Sequence, residues 1–165
     1  VAKFRNRPLE KHYPFLVVDA LYTRVRKDHK VSSIGLLIVT GINNDRCREV
    51  LGFSAADSES EESWDNVFKS LKHRGLKTVD LIVSDNHSGL VNAVRKNFQN
   101  TPWQRCQTHF SRNVLDKVPR RMKPEIKSWL RSMYDAVNLD KAYEIKEEMM
   151  ALFGEKIPKA VKVLD

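Results

Sequence analysis

A chain of 165 residues, 41% hydrophobic and 30% charged, is long enough for a domain with a packed core and too apolar for a disordered tail. Twenty-nine Lys and Arg against 21 Asp and Glu leave a formal charge of +8, which favours a polyanionic partner such as nucleic acid. No run approaches the ~18 apolar residues of a membrane span, no signal peptide is visible, and the two cysteines, Cys47 and Cys106, stand far apart, so no membrane and a reduced, cytoplasmic setting are the expectation.

The chain opens on Val1 rather than Met, as a piece of a longer polypeptide does, and residues 1–14 read as a basic lead-in arm broken by Pro8. A first strand is expected over 15–23. Alternation sets Phe15, Val17, Asp19 and Leu21 on one face and Leu16, Val18, Ala20 and Tyr22 on the other. Both faces are largely apolar, so this strand is expected at the centre of its sheet. A polar turn over 27–32, "KDHKVS", leads to a second strand over 33–42. "NND" then turns the chain into a third strand over 48–56, and the short connections predict an antiparallel meander.

The period then changes. Trp64, Val67, Phe68 and Leu71 recur at helical spacing, with a capping-box signature at Ser58 and Glu61 and a stop at Gly75. An apolar strand over 78–85 follows, then a helix over 88–98 with Leu90, Val91, Val94 and Phe98 inward, and a short strand within 101–110. Beyond about 109 the pattern is helical. Ile126, Trp129, Leu130, Met133 and Val137 form one stripe. Leu139, Ala142, Tyr143, Met149, Met150 and Phe153 suggest another helix, which Gly154 ends. Pro158 opens one more. The order β-β-β-α-β-α-β, then helices, predicts a mixed sheet with helices on both faces, an arrangement that allows strand 78–85 to lie beside strand 15–23.

A carboxylate inside an apolar β run is costly unless it is paired. Asp19 is such a residue, and Asp85 closes the strand "LIVSD" where α/β sheets usually bind ligands. On adjacent strands the two would face one another, and either one would take up a proton or both would share a divalent cation; Mg²⁺ suits hard oxygen donors. The plainer readings are that Asp85 caps the helix at 88 and that Asp19 pairs with a buried Arg or Lys. Cys106 and His109, three apart in "CQTH", make half of a zinc-type pair, and His87 stands close to Asp85. No Gly-rich phosphate loop and no G-x-S-x-G elbow occurs, so nucleotide-cofactor and serine-hydrolase readings lack support. Arg105, Arg112, Lys117, Arg120, Arg121, Lys123, Lys127 and Arg131 crowd into 101–133 against only Asp116 and Glu125. Such a cluster grips phosphates without regard to sequence, or forms a solvated helix face.

Four stretches carry a resemblance: "VVDALYTRVR", "GLLIVTGIN…REVLGFSAADSESEESW", "DLIVSDNHSGLVNAV" and "WQRCQTHFSRNVLDKVP". In this order they resemble the catalytic core of bacterial mutator-type insertion-sequence transposases, over roughly residues 15–120. The resemblance implies an α/β fold: a ribonuclease H-like mixed five-stranded sheet flanked by helices, followed by part of an all-helical insertion. It implies a core over 15–110 and the start of the insertion over 111–165. It maps two of the family's three catalytic, metal-binding acids (the DDE set) onto Asp19 and Asp85. Auxiliary positions fall on His87, Cys106 and His109, and Arg105, Arg112, Lys117, Arg120 and Arg121 would contact DNA. The implied activity of the full-length protein is DNA strand cleavage and strand transfer at transposon ends and target, with two Mg²⁺ or Mn²⁺ ions and a homo-oligomeric complex. The third acid, a glutamate, is expected beyond Asp165, so the fragment itself would be inactive. Two other readings share these residues: a non-catalytic DNA-binding or assembly module, and a ribonuclease H-like nuclease.

Overall fold

A computed structural model describes residues 1–27 and 29–164, apart from the side chains of Lys27 and Lys30. The chain divides into two compact units, Val1–Cys106 and Gln107–Asp165.

The first unit is built on one five-stranded sheet of order β3-β2-β1-β4-β5. Strands β1 (Phe15–Lys27), β2 (Lys30–Ile42) and β3 (Arg48–Ala56) form the antiparallel meander that the short connections predict. β4 (Leu81–Ser84) pairs in parallel with β1, and β5 (Trp103–Arg105) pairs in parallel with β4. Three antiparallel strands followed by two parallel ones is the ribonuclease H-like arrangement. β1 and β2 run longer than expected: residues 27 and 30–32 of the expected turn belong to strands, and Asp28 lies outside the described residues. The fifth strand is shorter than expected, because helix α4 already begins at Gln107.

The two faces of β1 differ as alternation requires. Leu16 and Val18 are buried, and they join Leu37, Val39, Leu51 and Ile82 in the core. Phe15 and Leu21, on the other face, are 42% and 54% exposed. Asp19 shares that second, half-open face, which spares it the full cost of burial in the core.

Helix α2 (Glu61–His73) and helix α3 (Ser88–Asn97) pack against each other beside this core. Trp64, Val67, Phe68 and Leu71 are buried as their spacing predicts. Trp64 stacks on Phe68 at 5.9 Å, and Phe68 meets Phe98 edge-on at 5.2 Å. The helix starts later than the Ser58/Glu61 signature suggested. Ser60 is the N-cap, and its side chain exchanges hydrogen bonds with Ser63 in a capping box. Serine at the third position fulfils the reciprocal role that glutamate usually has. Arg74 closes the helix, and Gly75 follows with φ of +105°, which only glycine adopts without strain.

The lead-in arm carries a short helix α1 (Ala2–Arg5) and is tied to the sheet. Glu49 of β3 accepts hydrogen bonds from Lys11 at 2.8 Å, Tyr13 at 3.1 Å and Asn43 at 3.1 Å. Arg74 donates to the carbonyls of Arg7 and Leu51.

The second unit is helical: α4 (Gln107–Leu115), a 3-10 turn (Arg120–Met122), α5 (Lys123–Tyr134), α6 (Leu139–Phe153) and α7 (Pro158–Leu164). Its core joins Val114, Val118, Ile126, Leu130, Met149, Phe153, Ile157, Ala160 and Leu164. Val137 does not extend the α5 stripe; it lies between α5 and α6 and is 91% exposed. Leu139 and Tyr143 of α6 also face solvent. No helix among the described residues is long and apolar enough to cross a membrane.

Candidate active site

The parallel pairing of β1 with β4 sets the geometry. Its register runs from Phe15 opposite Leu81 to Val18 opposite Ser84. One step further lie Asp19 and Asp85. Residues at the same register in neighbouring parallel strands share a face, and strands stand about 4.8 Å apart. Both aspartates are half-buried. Asp19 Oδ1 accepts from the backbone N–H of Ala20 at 2.9 Å, and Asp85 Oδ1 accepts from that of Asn86 at 2.7 Å.

The end of β4 is held firmly. Ser84 is buried; its hydroxyl donates to the carbonyl of Asp85 at 2.8 Å and accepts from Trp103 Nε1 at 2.9 Å. Its own carbonyl accepts from the backbone N–H of Cys106 at 2.7 Å. Asp85 does not cap α3. The N-cap is His87, with an extended backbone and no side-chain capping bond. The plainer reading of Asp85 therefore does not describe this chain.

His87 stands next to a residue that the sequence reading passed over. Glu59, in the loop before α2, has a side chain only 9% exposed, and its Oε1 lies 3.6 Å from His87 Nδ1. Trp64 Nε1 donates to the same oxygen at 3.0 Å, and the Tyr22 hydroxyl donates to Oε2 at 3.0 Å. Burial, then the hydrogen bond to Glu59, pushes the Tyr22 phenol up from its usual value. In the sequence Glu59 is one of four acids in "DSESEE", a run that looks like a solvated helix start. Only its place just before a buried Trp at helical spacing could have drawn attention to it.

Gly89 explains how the 85–90 segment sits there. A Cβ at this position would lie 2.8 Å from the backbone nitrogen of Glu61 and 3.0 Å from the carbonyl carbon of Ser60. The start of α3 thus meets the start of α2 backbone to backbone, which brings His87 to Glu59.

The remaining predicted residues divide between the units. Arg105 is half-buried on β5 and Cys106, a free half-buried thiol, follows it. His109 lies on α4, half-buried. Arg112, Lys117, Arg120 and Arg121 are exposed on the second unit, while its apolar residues turn inward. Hard carboxylate oxygens such as those of Asp19 and Asp85 suit Mg²⁺ or Mn²⁺. Among the described residues, no group of three or more His, Cys, Asp or Glu is gathered to hold a metal ion.

The sheet is ribonuclease H-like, with Asp19 within its central strand and Asp85 just past the end of the strand beside it. Comparison with known proteins is more specific. The family model described as "Transposase, Mutator family" matches residues 1–165. The chain is 40% identical over 151 residues to the transposase for insertion sequence element IS256 in transposon Tn4001 of Staphylococcus aureus. It is 40% identical over 152 residues to that for ISRM5 of Rhizobium meliloti and 34% identical over 166 residues to that for IS1081 of Mycobacterium tuberculosis. These alignments cover 91%, 92% and 100% of this chain but only 39%, 37% and 40% of the relatives' own lengths. The chain belongs to the Mutator family of transposases, and it spans about two-fifths of the relatives it matches.

Proposed function

We propose that this chain is a fragment of a DDE transposase catalytic core, which in the full-length protein cuts transposon ends and joins them to target DNA. The observation that carries the reading is the β1–β4 register, one step short of Asp19 and Asp85, in a chain of this family. These carboxylates would hold Mg²⁺ or Mn²⁺. Such ions, held there, would supply activation of a water or a DNA 3′-hydroxyl and stabilisation of the leaving oxygen of the phosphodiester. The protein's part would be to hold two acceptor-only groups, one within β1 and one just past the end of β4. The backbone bonds to Asp19 and Asp85 limit their rotation, and the Ser84–Trp103 and Ser84–Cys106 bonds keep β4 in place. Arg105, Arg112, Lys117, Arg120 and Arg121 would neutralise and position DNA phosphates, with His87, Cys106 and His109 in auxiliary roles. Residues 111–165 serve as the start of the helical insertion. A third carboxylate comes from the part of the relatives' length that this chain does not span, and the active complex is a homo-oligomer.

The test is Asp85→Asn in the full-length transposase, alongside Asp19→Asn. Both variants should bind transposon ends and lose cleavage to background. Cleavage at the normal rate by either would overturn the assignment.

The absence of a three-ligand cluster among the described residues favours a second reading for the chain taken alone, a non-catalytic DNA-binding or assembly module. Calorimetry with Mn²⁺ separates the two. Heat that disappears in Asp19→Asn supports the catalytic reading, and no Asp19-dependent heat supports the module.

A further inference from the structure

Glu59 is a largely shielded carboxylate that the chemistry above leaves unused. Its loop precedes α2, yet its side chain reaches three elements: Tyr22 of β1, Trp64 of α2, and His87 two residues beyond Asp85. Shielded carboxylates of this kind need donors, and two of the three neighbours can only be donors here: the Trp64 indole N–H and the Tyr22 hydroxyl.

The third neighbour decides the matter. His87 Nδ1 is shielded from solvent and has no hydrogen-bond partner within normal reach; the nearby acceptor is Glu59 Oε1 at 3.6 Å. In a neutral imidazole one nitrogen carries the proton and the other a lone pair. Were Nδ1 the lone-pair atom, two acceptors would face each other in a water-poor space with no proton between them. A proton on Nδ1 turns the same contact into an attraction that a small movement closes into a hydrogen bond. The His87 side chain is 42% exposed although its Nδ1 is shielded, so its exposure lies on other atoms of the side chain.

We infer that Glu59 is a positioning residue: it holds a proton on Nδ1 of His87, so that in the neutral ring the lone pair falls on Nε2. In its neutral form a histidine fixed in this way takes a hydrogen bond at Nε2 from a water or hydroxyl at the strand end, and does not donate from Nε2 to a phosphate oxygen. The inference rests on the reading of that strand end as the reaction centre, but its first test does not. Tyr22 and Trp64 serve by saturating and aiming the carboxylate, much as the third member of a triad fixes the tautomer of its histidine.

The experiment is imidazole ¹⁵N NMR on this chain, free of metal, at about pH 9, where an ordinary imidazole is neutral. The wild-type His87 signals should show the Nδ1–H tautomer. Glu59→Ala should shift them to the Nε2–H form that an isolated imidazole prefers, and Glu59→Gln, which keeps an acceptor oxygen for both Trp64 and His87, should restore Nδ1–H. A wild-type spectrum dominated by Nε2–H overturns the inference without recourse to any variant. So does a folded Glu59→Ala protein whose tautomer is unchanged. In the full-length transposase, Glu59→Ala should lower the strand-cleavage rate by about 10- to 100-fold with the KM for transposon ends unchanged, and Glu59→Gln should recover most of it. Retained cleavage in Asp85→Asn would sink the proposed function while leaving the tautomer result standing; an Nε2–H wild type with inactive Asp85→Asn would do the reverse.

Discussion

Asp65 of α2 accepts a 2.7 Å hydrogen bond from the side-chain amide of Asn97, the last residue of α3. Its other oxygen meets Lys69 at 2.8 Å and Lys96 at 3.1 Å. The two helices that flank the candidate site are thus joined by one nearly buried carboxylate with three donors. The hydrogen bond from Lys69, then that from Asn97, holds the Asp65 carboxyl far below the usual carboxylate range, against the opposing effect of burial.

That depression has a direction in pH. A carboxyl with a lowered folded pKa contributes stability that is present in full above its unfolded value of about 3.9 and is lost as pH falls below it. Thermal melts followed by circular dichroism from about pH 7 down to 3 should show the wild-type midpoint falling below about pH 4. Asp65→Asn should lower the midpoint at neutral pH and flatten this fall. An equally steep acid loss in the variant would assign the pH dependence to other carboxylates.

Gly89 makes a second prediction. With backbone atoms of Ser60 and Glu61 at 3.0 Å and 2.8 Å from a built Cβ, no flexible side chain can yield. Gly89→Ala should cost about 1–3 kcal/mol in urea unfolding, the usual range for overpacking. It should also part the starts of α2 and α3 and so separate His87 from Glu59. A variant as stable as wild type would mean that this contact relaxes freely.

The third prediction concerns charge. Lys117, Arg120 and Arg121 are exposed on the second unit. If they meet phosphates, replacing each with Ala should reduce the slope of log K against log salt by about 0.9 for double-stranded DNA, with little change between sequences. Filter binding over a salt series measures this. An unchanged slope would identify these residues as solvated surface.

Much of this fold was legible in the sequence, and the reason is local. Alternation told the two faces of β1 apart, and Leu16 and Val18 are buried where Phe15 and Leu21 are not. Helical spacing picked out Trp64, Val67, Phe68 and Leu71. Errors fell where two local signals competed. The acidic run "DSESEE" offers several capping serines, and Ser60 rather than Ser58 takes the role. Val137 continues the spacing of α5 but comes after the helix has ended at Tyr134. A periodic pattern cannot show where hydrogen bonding stops.

Asp19 and Asp85 could be picked out one at a time, each as an acid at an odd place in an apolar strand. Residue spacing along the chain dictates which way a side chain faces, and so by itself the sequence determined strands, helices and the suspicion attached to each aspartate. Which strand lies beside which is a matter of non-local pairing. Only the tertiary structure decided that β4 adds to β1 in parallel, one step short of the two acids. It alone decided that Glu59, an ordinary acid in a polar run, meets Tyr22, Trp64 and His87. Those contacts join residues from separate elements, and no periodicity within one element encodes the identity of its neighbours.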